Sequence, residues 1–153
     1  MDKFDTIDKK LLFLLQSDCK WTTKAYAKKL NLSTTAVYER IKRLEKQGVI
    51  EKYVALVDKK KVAKAFTVLC HIKLVRHSRE YVVQFERDVL KLEEVAECYH
   101  VSGDYDYIIK VHVRDMDDYR DFMISKLTAL DHIGSTQSMF AIKEVKCSTK
   151  VVV

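Results

Sequence analysis

Residues 32–50 read LSTTAVYERIKRLEKQGVI, and the punctuation of this stretch decides how the rest is read. Ser33 has the chemistry of an N-cap, its hydroxyl placed to accept from the amide of Thr35 or Ala36. Gly48 falls where a left-handed C′ residue is wanted, so that Val49 can fold back on Leu44. Between these ends Val37, Ile41 and Leu44 repeat at helical spacing as a thin apolar seam. The opposite side carries Thr35, Tyr38, Glu39, Lys42, Arg43 and Lys46. An outer face of hydroxyls, a phenol and cations suits a DNA major groove. The same pattern also fits an ordinary amphipathic helix with a solvated basic face, so the flanking sequence has to discriminate.

Upstream, Asp5 or Thr6 caps a first helix whose core stripe is Ile7, Leu11, Leu14 and Leu15. It is expected to end near Ser17-Asp18. Thr22-Thr23 opens a second helix, Thr23 to Leu30, with Ala27 and Leu30 inward and Lys24, Lys28 and Lys29 outward. Asn31-Leu32-Ser33 is a tight connection into the third. Two helices joined by about three residues form the helix-turn-helix pattern. Residues 49–57 read as extended and would add a strand behind the helices, a winged-type domain over residues 1–57.

Residues 58–65, opening with Asp58-Lys59-Lys60-Lys61, are expected to be a hinge. A different regime follows over 66–153. Phe66, Val68, Cys70, Ile72 and Leu74 alternate as one face of a strand. Ser78 caps a helix with Val82, Phe85, Val89 and Leu92 at helical spacing. Residues 95–101 and 105–113 read as strands joined at Ser102-Gly103-Asp104. Asp115 caps a helix with the stripe Met116, Tyr119, Met123, Leu127 and Leu130, and Asp118 stands in capping-box position. Residues 135–146 read as a last strand. The order β-α-β-β-α-β is the ferredoxin-like sandwich, with two helices on one face of an antiparallel sheet. The fold class is α+β. The sheet's other face is expected to be apolar and covered by a second copy.

Bulk properties bound the function. The chain of 153 residues is 48% hydrophobic, enough for a real core in one or two small domains. No apolar run approaches the roughly 20 residues of a membrane span. The charged start MDKFDTIDKK lacks a signal-like apolar region, so a cytoplasmic location is expected. The net charge of +6 is uneven: residues 1–64 hold 16 Lys+Arg against 8 Asp+Glu, and the remainder 12 against 14. Only the front half is therefore expected to meet a polyanion. Cys19, Cys70, Cys98 and Cys147 show no C-x-x-C or zinc-finger spacing and read as reduced thiols. The five histidines make no H-E-x-x-H, and there is no G-x-S-x-G and no phosphate-binding glycine loop. An enzyme, a metal site and a catalytic residue are not expected.

At this point the chain resembles the Lrp/AsnC (leucine-responsive, feast/famine) regulators along nearly its whole length. The matching pieces are Asp5-x-x-Asp8-x-x-Leu11-Leu12, Leu32-Ser33, Glu39-Arg40-Ile41-Lys42-Arg43-Leu44-Glu45-x-x-Gly48-Val49-Ile50 and Tyr53. The second half contributes Val101-Ser102-Gly103-Asp104-Tyr105-Asp106-Tyr107, Asp115-Met116-x-x-Tyr119 and Ile133-Gly134-Ser135-Thr136-Gln137-Ser138. The resemblance implies a DNA-binding helix-turn-helix and a ferredoxin-like domain that dimerises and binds an amino acid. Two departures stand out: Asp131-His132-Ile133-Gly134 replaces the family's frequent Pro-Gly, and Ser138 replaces a common threonine.

The expected roles follow. In a dimer two recognition helices enter successive major grooves. Ser33, Thr34, Thr35 and Tyr38 lie at the end of the helix nearest the base edges. Lys42, Arg43 and Lys46 are expected at phosphates, Arg43 alternatively at a guanine, with Glu39 orienting Arg43. Thr23 and Lys24 would hold the backbone. For the effector, Gly103 permits close backbone approach, and Asp104 or Asp106 can take an ammonium group. The resemblance adds Tyr105, Ser135, Thr136 and Ser138. It also implies binding between dimers, so that an amino acid would bias assembly toward an octamer of four dimers. No cofactor beyond that effector is expected. The alternative reading is an architectural protein that coats or wraps DNA with little sequence preference.

Overall fold

The computed structural model describes residues 4–153. The chain divides into two compact units, one of the residues up to Leu56 together with Val145–Val153, the other Val57–Glu144.

In the first unit, α1 spans Thr6–Ser17, α2 Thr23–Leu30 and α3 Thr34–Lys46. Each start is capped as its sequence dictates. Asp5 accepts from the Asp8 amide, Thr22 from that of Ala25 and Ser33 from that of Ala36. Each such cap satisfies a donor the helix leaves orphaned. Asn31 closes α2 at φ 54°, a left-handed conformation asparagine tolerates. Gly48 closes α3 at φ 70°. Its amide donates to Glu45 O at 3.0 Å and the Val49 amide to Leu44 O at 3.0 Å, the paired bonds of a Schellman end. The core is Leu11, Leu12, Leu15, Tyr26, Ala27, Leu30, Val37 and Leu44. Burial of each large side chain is worth about 2 kcal/mol. Tyr26, which helical spacing alone left out, is buried because its hydroxyl donates to Asp18 O at 2.7 Å.

Two expectations fail here. Residues 51–57 form no strand; Val54, Leu56 and Val57 are exposed. Extended sequence becomes sheet only where a neighbouring edge takes up its backbone groups, and the one sheet among the described residues lies entirely in the other unit. The last strand likewise stops at Phe140. Val145–Val153 groups with the helices. Gln16 makes reciprocal amide bonds to Val151, at 3.0 and 2.7 Å, and Lys150 Nζ donates to Ser17 Oγ at 3.0 Å.

In the second unit the elements are β1 Phe66–Leu74, α4 Arg79–Val89, β2 Val95–His100, β3 Tyr107–Val113, α5 Met116–Phe122 and β4 Ile133–Phe140. The sheet order is β2-β3-β1-β4, and every neighbouring pair is antiparallel. This is the expected ferredoxin-like sandwich. The inner face presents Val68, Cys70, Ile72, Leu74, Tyr107, Ile109, Val111 and Val113 to Phe85, Val89, Tyr119, Phe122 and Leu127. A π-helical turn, Met123–Leu127, continues α5. Phe122 is buried and Met116 exposed.

Residues 58–64 form hydrogen-bonded turns within the second unit. Lys61 and Lys64 amides donate to Asp58 and Lys59 carbonyls, Lys59 pairs with Glu144, and Lys64 reaches Asp118 at 3.4 Å. The outer sheet face is open but less apolar than expected. Leu69, Tyr99 and Met139 are exposed on it, interleaved with His71, Lys73 and Gln137 and with the Lys110–Glu97 pair. No described helix is long and apolar enough to cross a membrane.

All four cysteines are free thiols, Cys19 and Cys147 exposed and Cys70 buried. Burial raises Cys70 and pushes Cys98 up to about 11. An aromatic disulfide reagent at pH 8 is expected to titrate Cys19 and Cys147 within minutes. Cys70 and Cys98 should react only as the protein unfolds, with all four released in denaturant.

Candidate functional site

The first candidate surface is the outer side of α3. Thr34, Thr35, Tyr38, Glu39, Lys42, Arg43 and Lys46 are all exposed, while Val37 and Leu44 are buried. The narrow seam therefore leaves most of the helix circumference to solvent. Ser33 already serves as the cap, its Oγ 3.1 Å from the Ala36 amide. Lys42 Nζ donates to Glu45 at 2.8 Å and lies over the Tyr38 ring at 5.8 Å. The Tyr53 hydroxyl donates to the other Glu45 oxygen at 3.0 Å; burial and this acceptor push Tyr53 up to about 12. In α2, Lys24 is exposed and Thr23 half-buried, one residue inside the cap at Thr22.

Arg43 also has a partner within the protein that its spacing did not suggest. Its Nη2 donates to Asp8 Oδ2 at 2.5 Å, while Arg40 Nη1 donates to Asp8 Oδ1 and to Asp5 Oδ2, both at 2.7 Å. The Asp8 side chain is only 3% exposed. Asp8 also completes a reciprocal capping box with Asp5. Its amide and Arg40 hold the Asp5 carboxyl below its ordinary range. Arg43 is thus engaged by Asp8 rather than oriented by Glu39. The spaced Asp5-x-x-Asp8 and Arg40-x-x-Arg43 of the sequence are one clamp between α1 and α3. Its signal was visible: an acid on the apolar side of α1 calls for a cation opposite it.

The second candidate surface is the turn between β2 and β3. Gly103 has φ 121°, and a Cβ there would meet nothing within 4 Å. The position is open, and its demand is purely conformational. Asp104 is exposed, whereas Asp106 is committed to the protein. Asp106 Oδ2 accepts from the Leu74 amide at 2.8 Å, and Oδ1 lies 2.7 Å from His77 Nδ1. Burial would raise Asp106, but these two bonds outweigh it and hold the carboxyl below its ordinary range. The two acids left open by the sequence therefore differ: Asp106 fastens the turn to the end of β1, and Asp104 faces solvent.

The serines and threonines of β4 divide by strand alternation. Thr136 and Ser138 stand opposite Ile72 and Cys70, on the inner face. The Ser138 hydroxyl lies 2.6 Å from the Tyr119 hydroxyl. Ser135 and Gln137 face outward beside Lys73 and His71. Gln137 accepts from the Tyr105 hydroxyl at 2.7 Å, and His71 meets the Tyr105 ring edge-on at 5.0 Å. Gln137 and His71 were missed, although a period of two from Ser135 points to Gln137. No group of His, Cys, Asp and Glu suited to a metal occurs among the described residues.

Comparison with known proteins gives a consistent picture. Residues 4–51 match the family model for a winged helix-turn-helix DNA-binding domain. Residues 67–151 match that for the Lrp/AsnC ligand binding domain. The chain is 36% identical over 147 residues to the DNA-binding transcriptional activator DecR of Escherichia coli K12, covering 96% of this chain and 97% of that one. It is 37% identical over 149 residues to the leucine-responsive regulatory protein of the same strain, covering 97% and 91%. A crystal structure of a transcriptional regulator from Neisseria meningitidis in complex with L-Met superposes with a TM-score of 0.93 at 26% identity, covering 97% and 96%.

Removing the buried carboxylate leaves Arg40 and Arg43 without their shared acceptor. Asp8→Ala is expected to destabilise the helical unit by about 2–3 kcal/mol, read as a lower urea midpoint at unchanged slope.

Proposed function

The chain belongs to the Lrp/AsnC family of transcriptional regulators, and from that premise we propose how its residues divide the work. It is a DNA-binding regulator with a ligand-binding domain, not an enzyme. In our reading α3 lies in the major groove with Thr34, Thr35 and Tyr38 at base edges. Lys42 and Lys46 neutralise phosphates, and Thr23 and Lys24 brace the adjacent backbone. Arg43 contributes through the clamp on Asp8, with its remaining guanidinium nitrogens turned to the DNA. The observation that carries this is the joint exposure of Thr35, Tyr38, Lys42 and Lys46 on a helix fixed at both ends.

The second unit pairs two copies through its open sheet face, where Leu69, Tyr99 and Met139 stand clear of their own core. A two-fold axis there sets two recognition helices on half-sites about one helical turn apart or a multiple of it. The effector is a free amino acid. Gly103 brings the backbone close to its carboxylate, Asp104 takes its ammonium group, and Tyr105, Gln137 and Ser135 line the side. Binding between dimers couples the effector to an octamer of four dimers. The site of action is the cytoplasm. A coat of low sequence preference remains the rival, because the basic first unit attracts any duplex.

Lys46→Ala should weaken binding to operator and scrambled duplex alike and flatten the salt slope by roughly one unit. Tyr38→Ala should erase the preference between the two and leave the slope nearly unchanged. Titrations over a range of salt separate these outcomes, and identical behaviour of the two variants supports the coat instead. A thermal-shift panel of natural amino acids, L-Met first, should yield a ligand that raises the melting temperature of the wild type. Asp104→Asn should abolish that rise.

A further inference from the structure

The two lysines on the outer face of α3 stand in different circumstances. Lys42 Nζ donates to Glu45 Oε2 at 2.8 Å and lies over the Tyr38 ring at 5.8 Å. Glu45 is itself fastened, because its other oxygen accepts from the Tyr53 hydroxyl at 3.0 Å. Its side chain is 30% exposed, against 53% for that of Lys42. The bond shows at both ends. Pairing with Glu45 raises Lys42 above its ordinary value, and the bonds from Lys42 and then Tyr53 hold the Glu45 carboxyl below its own. Lys46 is also exposed, and no ion pair engages it among the described residues.

An exposed ion pair is normally weak, since two long side chains must be immobilised to form it. Here Tyr53 already holds the carboxylate, and the Tyr38 ring attracts the ammonium group over its face. A lysine held in this way reaches a phosphate only by leaving its carboxylate. The strength of the internal pair is then lost from the external contact. The loss is the same on every sequence, because phosphates carry no sequence information.

We propose that Glu45 is a positioning residue that acts through Lys42, competing with DNA phosphate for its ammonium group and so restraining sequence-independent binding. The inference rests on the reading of α3 as the recognition helix and of Lys42 as a phosphate contact. The base-edge contacts of Thr34 and Thr35 face no such competitor. A larger share of the total affinity therefore depends on sequence than an unopposed row of lysines would leave. Tyr53 belongs to the device as the anchor of the carboxylate.

The test is anisotropy titration of the full-length protein with a short fluorescent duplex of scrambled sequence, over a range of salt. Glu45→Gln removes the charge while its amide oxygen still accepts from Tyr53, so the melting temperature should hold. It should tighten the duplex about threefold, the weight of an exposed ion pair. The salt slope should change little, because the phosphate contacts in the complex are the same ones. Combined with Lys46→Ala it should give the same gain, and combined with Lys42→Met it should give none, a coupling that a double-mutant cycle isolates. No gain from Glu45→Gln, or an equal gain in the Lys42→Met background, would overturn the proposal and leave the reading of α3 standing. If Lys42→Met alone leaves the affinity unchanged, Lys42 is no phosphate contact, and that assignment falls together with this inference.

Discussion

The clamp on Asp8 is the constraint from which the exposed face of α3 takes its shape. A carboxylate almost removed from water must be paired, and Asp8 is paired twice over, by Arg40 and Arg43 of α3. It sits in the first turn of α1, where the helix dipole favours an anion and where its other task is the reciprocal cap with Asp5. One side chain thus ends one helix and sets the roll of another. The roll matters because α3 buries only a thin seam, Val37 and Leu44, and so narrow a seam alone would fix its rotation weakly. With both arginines drawn toward α1, the remaining face presents Thr35, Tyr38, Lys42 and Lys46 as a unit.

The sandwich works by a different rule. Strand alternation sends every second residue of β1, β3 and β4 to the helices and the others to the open face. A contiguous run such as Ser135-Thr136-Gln137-Ser138 is therefore divided between the two faces. Ser138 belongs with Tyr119 and the inner face, whereas Gln137 belongs with Tyr105 and His71. Asp106 ties the turn to the end of β1 through the Leu74 amide and His77, leaving Asp104 and the Gly103 backbone free of structural duty. In the proposed effector site, the fastened acid would hold the form and the open one would be left for the ligand.

Much of this was legible in the residues. Caps at Asp5, Ser33, Ser78 and Asp115, the glycine stop at 48 and the period-two faces of β1 and β3 are local signals, and local signals placed every helix and all four strands. What escaped depends on partners distant in sequence. The pairing of Arg43 with Asp8 spans 35 residues, and that of Ser138 with Tyr119 depends on which face β4 turns inward. Residues 49–57 read as strand because propensity knows nothing of edges. The return of Val145–Val153 to α1 rests on Gln16 and Lys150, polar side chains that no periodicity singles out.

The most direct measurement of the central claim is amide hydrogen exchange of the full chain with and without a duplex that carries its operator. Slowed exchange is expected over Thr34–Lys46 and at the start of α2, with α4 and α5 unchanged. Protection confined to the sandwich, with α3 exchanging as it does in the free protein, would contradict it.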